Sequence, residues 1–153
     1  MTTINGIPAH ALLVHAIVVL APLTALLLIL CALWPAARRR LVWLNLALAV
    51  AVLVLAPLTI EAGEWLYDRE DGHSAILETH AHRGDWMLYI AIALVVVAIF
   101  QLFQHWRESR GSEPKRGLAL AVGVIALVVG VGSIGGVVLI GDSGAQAVWG
   151  GRE

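Results

Sequence analysis

His10 and His15 near the start of one long apolar run, and His80 and His82 just before another, are the side chains of this sequence best suited to hold a metal centre. Neutral imidazole is the cheapest ionisable ligand to bury, and it binds zinc, copper, iron and haem iron. Carboxylates stand close by in the sequence. Glu61, Glu64 and Asp68 follow an i, i+3, i+7 pattern that puts them on one helical face, and Asp85 lies three residues after His82. Two chemistries follow. Imidazoles from separate helices can hold a b-type haem from both sides, with His15 paired to His82 or to His80. Alternatively, His10, His15, Glu61, Glu64, His82 and Asp85 can supply ligands to a bare ion such as zinc or copper. His10 and His15 are five residues apart, about 140° around an ideal helix, so they do not share a face; His15 is expected to point into the bundle and His10 to lie nearer its mouth. The sequence has no His-Glu-x-x-His, no Cys-x-x-Cys-His, and one cysteine, Cys31, which supports neither an internal disulfide nor a thiolate cluster.

A cofactor-free reading uses the same residues. His15 can hydrogen-bond a carbonyl freed by a proline, or the hydroxyl of Thr24 or Thr59. His80, His82 and the acidic run Glu61 to Asp71 can be solvated loop groups, with Arg83 paired to Glu64 or Glu61. His105, alone at the opposite boundary, can meet the water layer.

The elements that must position these groups are four apolar runs, roughly residues 9–33, 41–60, 86–104 and 117–141. Each is close to the ~20 residues that a helix needs to cross a hydrocarbon core. Of 153 residues, 59% are hydrophobic and 14% charged, far from the roughly 25% charged residues of a soluble domain. Lipid leaves helices or closed barrels as spans, and these runs lack the two-residue alternation of barrel strands. The expected fold is all-α: a polytopic four-transmembrane-helix bundle forming a single domain over residues 1–153. No charged leader precedes the first run, which is read as a retained span.

Charge sets the expected orientation. Arg38, Arg39 and Arg40 in the first connection and Arg107, Arg110, Lys115 and Arg116 in the third account for seven of the ten basic residues. The other side carries Arg69, Arg83 and Arg152 with nine of the eleven acids. The positive-inside rule then puts the first and third connections in the cytoplasm and both termini outside, in a bacterial cytoplasmic membrane. All six tryptophans, Trp34, Trp43, Trp65, Trp86, Trp106 and Trp149, fall where an interfacial belt would hold them. Pro22 and Pro57 are expected to kink their helices, and Pro35 to help end the first. Glu113 and Pro114 mark a polar turn. The fourth run carries small residues four apart at Ala119/Gly123, Ala126/Gly130 and Gly132/Gly136, a flat face suited to close helix packing or to self-association.

The stretch Gly6-Ile-Pro-Ala-His10-Ala-Leu-Leu-Val-His15-Ala resembles the opening of the membrane proteins grouped as domain of unknown function 2231. Glu61-Ala-Gly-Glu64, His80-Ala-His82-Arg-Gly84-Asp85 and the closing Gly141-Asp-Ser-Gly144-Ala-Gln-Ala-Val-Trp149-Gly resemble it too, in actinobacterial-looking versions. The likeness runs along essentially the whole chain. One departure is that the family's common His-Pro pair reads His10-Ala11 here, with Pro8 ahead of it. The family has no established activity. Relatives fused to Rieske or c-type cytochrome modules imply a link to membrane redox chemistry, although this chain carries no such module.

The expectation is therefore a non-catalytic integral membrane protein with a polar His/carboxylate site near its outer face; a cofactor bound there would be b-type haem, serving electron transfer or redox sensing. The alternatives are a structural or partner-binding subunit with no cofactor, a divalent-metal-binding membrane protein, and a small transporter. The expected partners are the lipid bilayer and either a membrane redox protein or a second copy through the Gly-rich helix. A net charge of −1 and short basic loops speak against nucleic acid.

Overall fold

The computed structural model describes residues 3–4, 6–70, 72–111 and 116–150. Asp71, Glu113, Pro114, Lys115, Arg152 and Glu153, to which the sequence assigns loop and tail roles, lie outside them. A two-residue antiparallel pairing of β1 (Thr3–Ile4) with β2 (Ile7–Pro8) turns at Gly6, whose φ of +82° favours glycine. Among the described residues five helices follow: α1 (Ala9–Leu33), α2 (Pro35–Tyr67), α3 (Ala75–Gly84), α4 (Trp86–Ser109) and α5 (Arg116–Trp149).

Among the described residues, four helical stretches are long and apolar enough to cross a membrane: Ala9–Leu33, Pro35–Tyr67, Ala75–Ser109 and Arg116–Trp149. The third is α3 and α4 in series. The helices run past the apolar runs, α2 to Tyr67 and α4 to Ser109, and three further differences concern where elements begin or continue. Pro35 opens α2 at its first turn, where a missing N–H costs nothing, so Arg38, Arg39 and Arg40 are helical rather than loop residues. The second connection contains α3, started by the Ser74 side chain, which accepts a hydrogen bond from the Leu77 N–H at 3.2 Å. The tail from Asp142 continues α5 as helix to Trp149. At about 1.5 Å per residue, the 33 residues of α2 and 34 of α5 are each longer than a hydrocarbon core.

The bundle is held by close approach rather than by large side chains. Ala21 and Ala25 of α1, Ala49 and Ala56 of α2, Ala91 of α4 and Ala126 of α5 are fully buried, with Leu28, Val52 and Leu94 among them. Lipid tails are as apolar as leucine, so burial alone gives little drive and packing of small residues carries association. On α5 the small-residue face divides. Gly130 lies against Ile29 and the Ala25 carbonyl, Gly136 against Ile90, and Gly144 against His80. Gly123 and Gly132 face open space.

The buried stripes have heptad spacing. On α1 the stripe runs through Ile17, Ala21, Thr24, Leu28 and Cys31; on α2 through Arg38, Val42, Asn45, Ala49, Val52, Ala56 and Thr59; on α4 through Met87, Ala91, Leu94, Ala98 and Gln101. Extended by one step, they take in His10 on α1 and Glu108 on α4. Helices α2 and α4 are antiparallel neighbours, and Arg38 bonds Glu108. Counted in heptads from that pair, the two stripes would set Asn45 level with Gln101, then Val52 with Leu94, then Thr59 with Met87. The α2–α4 seam is polar towards its arginine end and almost wholly apolar towards its histidine end.

Candidate functional site

His10 and His80 are the imidazoles the fold brings together. Their ring centroids lie 6.2 Å apart with the planes at 80°. His10 reaches the interior because it sits on the buried stripe of α1, one heptad before Ile17. His80 is the only half-buried histidine on α3, whose other residues are largely exposed. A glycine admits each ring. A Cβ on Gly63 of α2 would lie 2.9 Å from the His10 ring, and one on Gly144 of α5 would lie 2.9 Å from that of His80.

The hydrogen bonds fix the tautomers. The His10 Nδ1–H donates to the Thr59 carbonyl at 2.9 Å, and the His80 Nδ1–H donates to the Ile140 carbonyl at 3.1 Å, with the Ser143 hydroxyl at 3.4 Å. A carbonyl oxygen only accepts, so Nδ1 carries the proton in both rings and the neutral imidazoles keep a bare lone pair on Nε2. Neither Nε2 has a hydrogen bond among the described residues. An Nδ1–H held by a main-chain carbonyl is also the arrangement that orients metal-binding histidines and raises their basicity.

The other expected ligands are placed elsewhere. His15 is exposed on the outside of α1, and its Nδ1–H returns to the Ala11 carbonyl one turn back. His82 is exposed and packs edge-on against Trp86, with centroids 6.3 Å apart. Both rings of the expected His15–His82 pair thus lie on exposed surfaces. The reason is angular: His15 lies off the heptad stripe that buries His10. Glu61, Glu64 and Asp85 are exposed. Among the described residues no three His, Cys, Asp or Glu side chains are grouped so as to share a metal ion. Arg83 donates to the Leu139 carbonyl at 3.3 Å rather than pairing with Glu61 or Glu64. The Thr59 carbonyl, not its hydroxyl, satisfies a histidine, and that histidine is His10 rather than His15. His73 stacks on Tyr67 at 3.9 Å and bonds its carbonyl.

A second polar cluster, at the arginine end, was not anticipated from the sequence. Arg38 is 4% exposed; its Nη2 meets Glu108 Oε1 at 2.6 Å and its Nη1 donates to the Cys31 carbonyl at 3.1 Å. Gln101 is fully buried and donates to the Leu28 carbonyl at 2.7 Å. Both amide atoms of Asn45, Gln101 Oε1, Arg38 Nε and His105 Nδ1 are buried with no hydrogen-bond partner among the described residues. His105 is thus partly inside the protein and not simply at the water layer. The legible signal was the seven-residue spacing from Arg38 to Asn45 and from Gln101 to Glu108.

The glycine facing His10 gives a direct test of the geometry. Gly63→Ala is expected to displace the ring, break its bond to the Thr59 carbonyl and cost about 1–3 kcal/mol, the usual range for overpacking. Gly141→Ala, which meets open space, should be neutral or slightly stabilising through helix propensity. Thermal unfolding in detergent, with the His10 ring nitrogens followed by NMR, separates the two.

A family model described as Predicted membrane protein (DUF2231) matches residues 6–152. No curated protein and no solved structure gives a significant match.

Proposed function

This chain belongs to the DUF2231 family of predicted membrane proteins, and from that premise we propose that it is a metal-binding protein of a bacterial cytoplasmic membrane, with His10 and His80 as its protein ligands. The observation that carries this reading is the matched state of the two rings: both Nδ1–H groups are held by main-chain carbonyls, leaving two bare Nε2 atoms on imidazoles 6.2 Å apart. A linear nitrogen–metal–nitrogen bridge with bonds of about 2.0–2.1 Å spans about this centroid separation, and a tetrahedral ion would draw the rings about 1 Å closer. Imidazole donors suit zinc and copper. The iron of a haem would need the same span together with room for the macrocycle beside it, so a single ion asks less of this pair. Two protein ligands leave open positions for an exogenous ligand or a partner, as in a site that exchanges or senses its ion. The basic residues at the far end support an orientation with this site and both termini outside the cytoplasm.

Zinc and copper titration of the purified protein in detergent, with elemental analysis, tests the reading. One ion per chain is expected, with affinity falling about 100-fold or more in His10→Ala and in His80→Ala, since even loss of an outer partner costs 10–100-fold. His15→Ala should bind as wild type. Unchanged binding in the His10→Ala/His80→Ala double variant would refute the site. A Soret band lost in His10→Ala would replace the ion with haem.

A further inference from the structure

At the arginine end, on the side of the bundle away from the core, α2 and α4 form a groove of about 400 Å³. Its composition is graded along α4. Ile99, Leu102 and Phe103 of α4, with Trp43 of α2, make an apolar stretch. Towards the helix end, Trp106, His105 and Ser109 complete the lining, and the buried Nδ1 of His105 has no partner among the described residues.

Cations stand at the same end. The Arg107 guanidinium lies 6.0 Å from the centroid of Phe103, and that of Arg110 lies 4.1 Å from the centroid of Trp106. Each cation is thus held at a ring that lines the groove. Arg39 is exposed and precedes Trp43 by four residues, so the two share a face of α2. Glu108, the acid among the described residues at this end that would offset this charge, is bonded to the buried Arg38. A guanidinium stacked on a ring keeps its edge N–H donors free, and those donors match phosphate geometry.

We propose that this groove is a binding site for an anionic phospholipid of the adjoining leaflet. An acyl chain lies along Ile99, Leu102, Phe103 and Trp43, and the phosphate is held by Arg107, Arg110 and Arg39. The grading from apolar to cationic along one helix fits a molecule whose tail lies deep and whose charge lies at the surface, and the charge selects an anionic headgroup over a zwitterionic one. The site is remote in sequence and chemistry from His10 and His80 and does not depend on them.

The test is lipid retention by the full-length protein, measured by native mass spectrometry after extraction from vesicles containing equal phosphatidylglycerol and phosphatidylcholine. Preferential retention of phosphatidylglycerol is expected, with each arginine contributing up to about fivefold. The Arg39→Gln/Arg107→Gln/Arg110→Gln variant should lose the preference yet retain lipid, whereas Trp43→Ala/Phe103→Ala should lose retention of both lipids. If the triple variant fails to fold, Arg110→Gln alone, at an exposed position, should still lower the preference several-fold. Equal retention of the two lipids by the wild-type protein, or a preference unchanged in Arg110→Gln and in the triple variant, would overturn the proposal.

Discussion

Glu108→Gln is expected to destabilise the protein by about 3 kcal/mol, at the lower end of the roughly 3–5 kcal/mol measured when one partner of a buried ion pair is removed. Arg38 is almost wholly enclosed, and Glu108 carries its only counter-charge among the described residues. The Cys31 carbonyl satisfies one further donor but no charge, and Nε is already without a partner. The Glu108 side chain is 25% exposed, so water reaches it and offsets part of the loss. Removing both charges should behave differently. Arg38→Met/Glu108→Leu is expected to recover most of the stability, because replacing a buried pair with apolar side chains of similar volume is often neutral or stabilising. A double-variant cycle on thermal or denaturant unfolding in micelles reads both effects. If Glu108→Gln unfolds with the wild-type midpoint, the pair is solvated and the buried charge is misplaced.

The second large effect is expected where α5 crosses α1. A Cβ at Gly130 would lie 2.8 Å from Ile29 Cγ1 and Cδ1, and 3.2 Å from the Ala25 carbonyl oxygen. Ile29 can turn aside in part, but the backbone oxygen of a packed helix cannot move without separating the helices. Gly130→Ala is expected to cost about 1 kcal/mol and Gly130→Ile about 3 kcal/mol, the two ends of the overpacking range. Gly135, five residues along the same helix, meets nothing within 4 Å. Gly135→Ala should therefore be neutral, or stabilising by up to about 1 kcal/mol through helix propensity. Unfolding midpoints of the three variants decide whether α1 and α5 approach as closely as described; equal midpoints would refute the contact.

The membrane architecture was legible because it rests on length and composition. The first run begins at Ala9 and the third at Trp86, where the sequence places them, since apolar runs of this length have one physical reading in lipid. Helix α3 was hidden because a short polar helix leaves no such run, and Ser74 was its main local signal. Sequence alone assigns Arg38 to a loop, because charge usually marks one. Only the heptad step from Val42 and Asn45 places it inside, with Glu108 on the facing helix to receive it. The histidines divided on the same point. His10 lies on the stripe and is half-buried; His15, expected inside, lies off it and is exposed. Gly63 and Gly144 stand within motifs the sequence singled out, but their roles as seats for imidazoles depend on which helices meet, and that is a tertiary fact.

The uneven seam between α2 and α4 also decides how these two helices can mate. Were it apolar throughout, a slide of seven residues would set one aliphatic layer against another and cost little. In this chain the same slide would lay Arg38 against Gln101, take Glu108 away from its cation and press the Asn45 amide onto Leu94. The charged and amide rungs thus act as a key that only one alignment turns, and the alanine-lined remainder is free to be smooth.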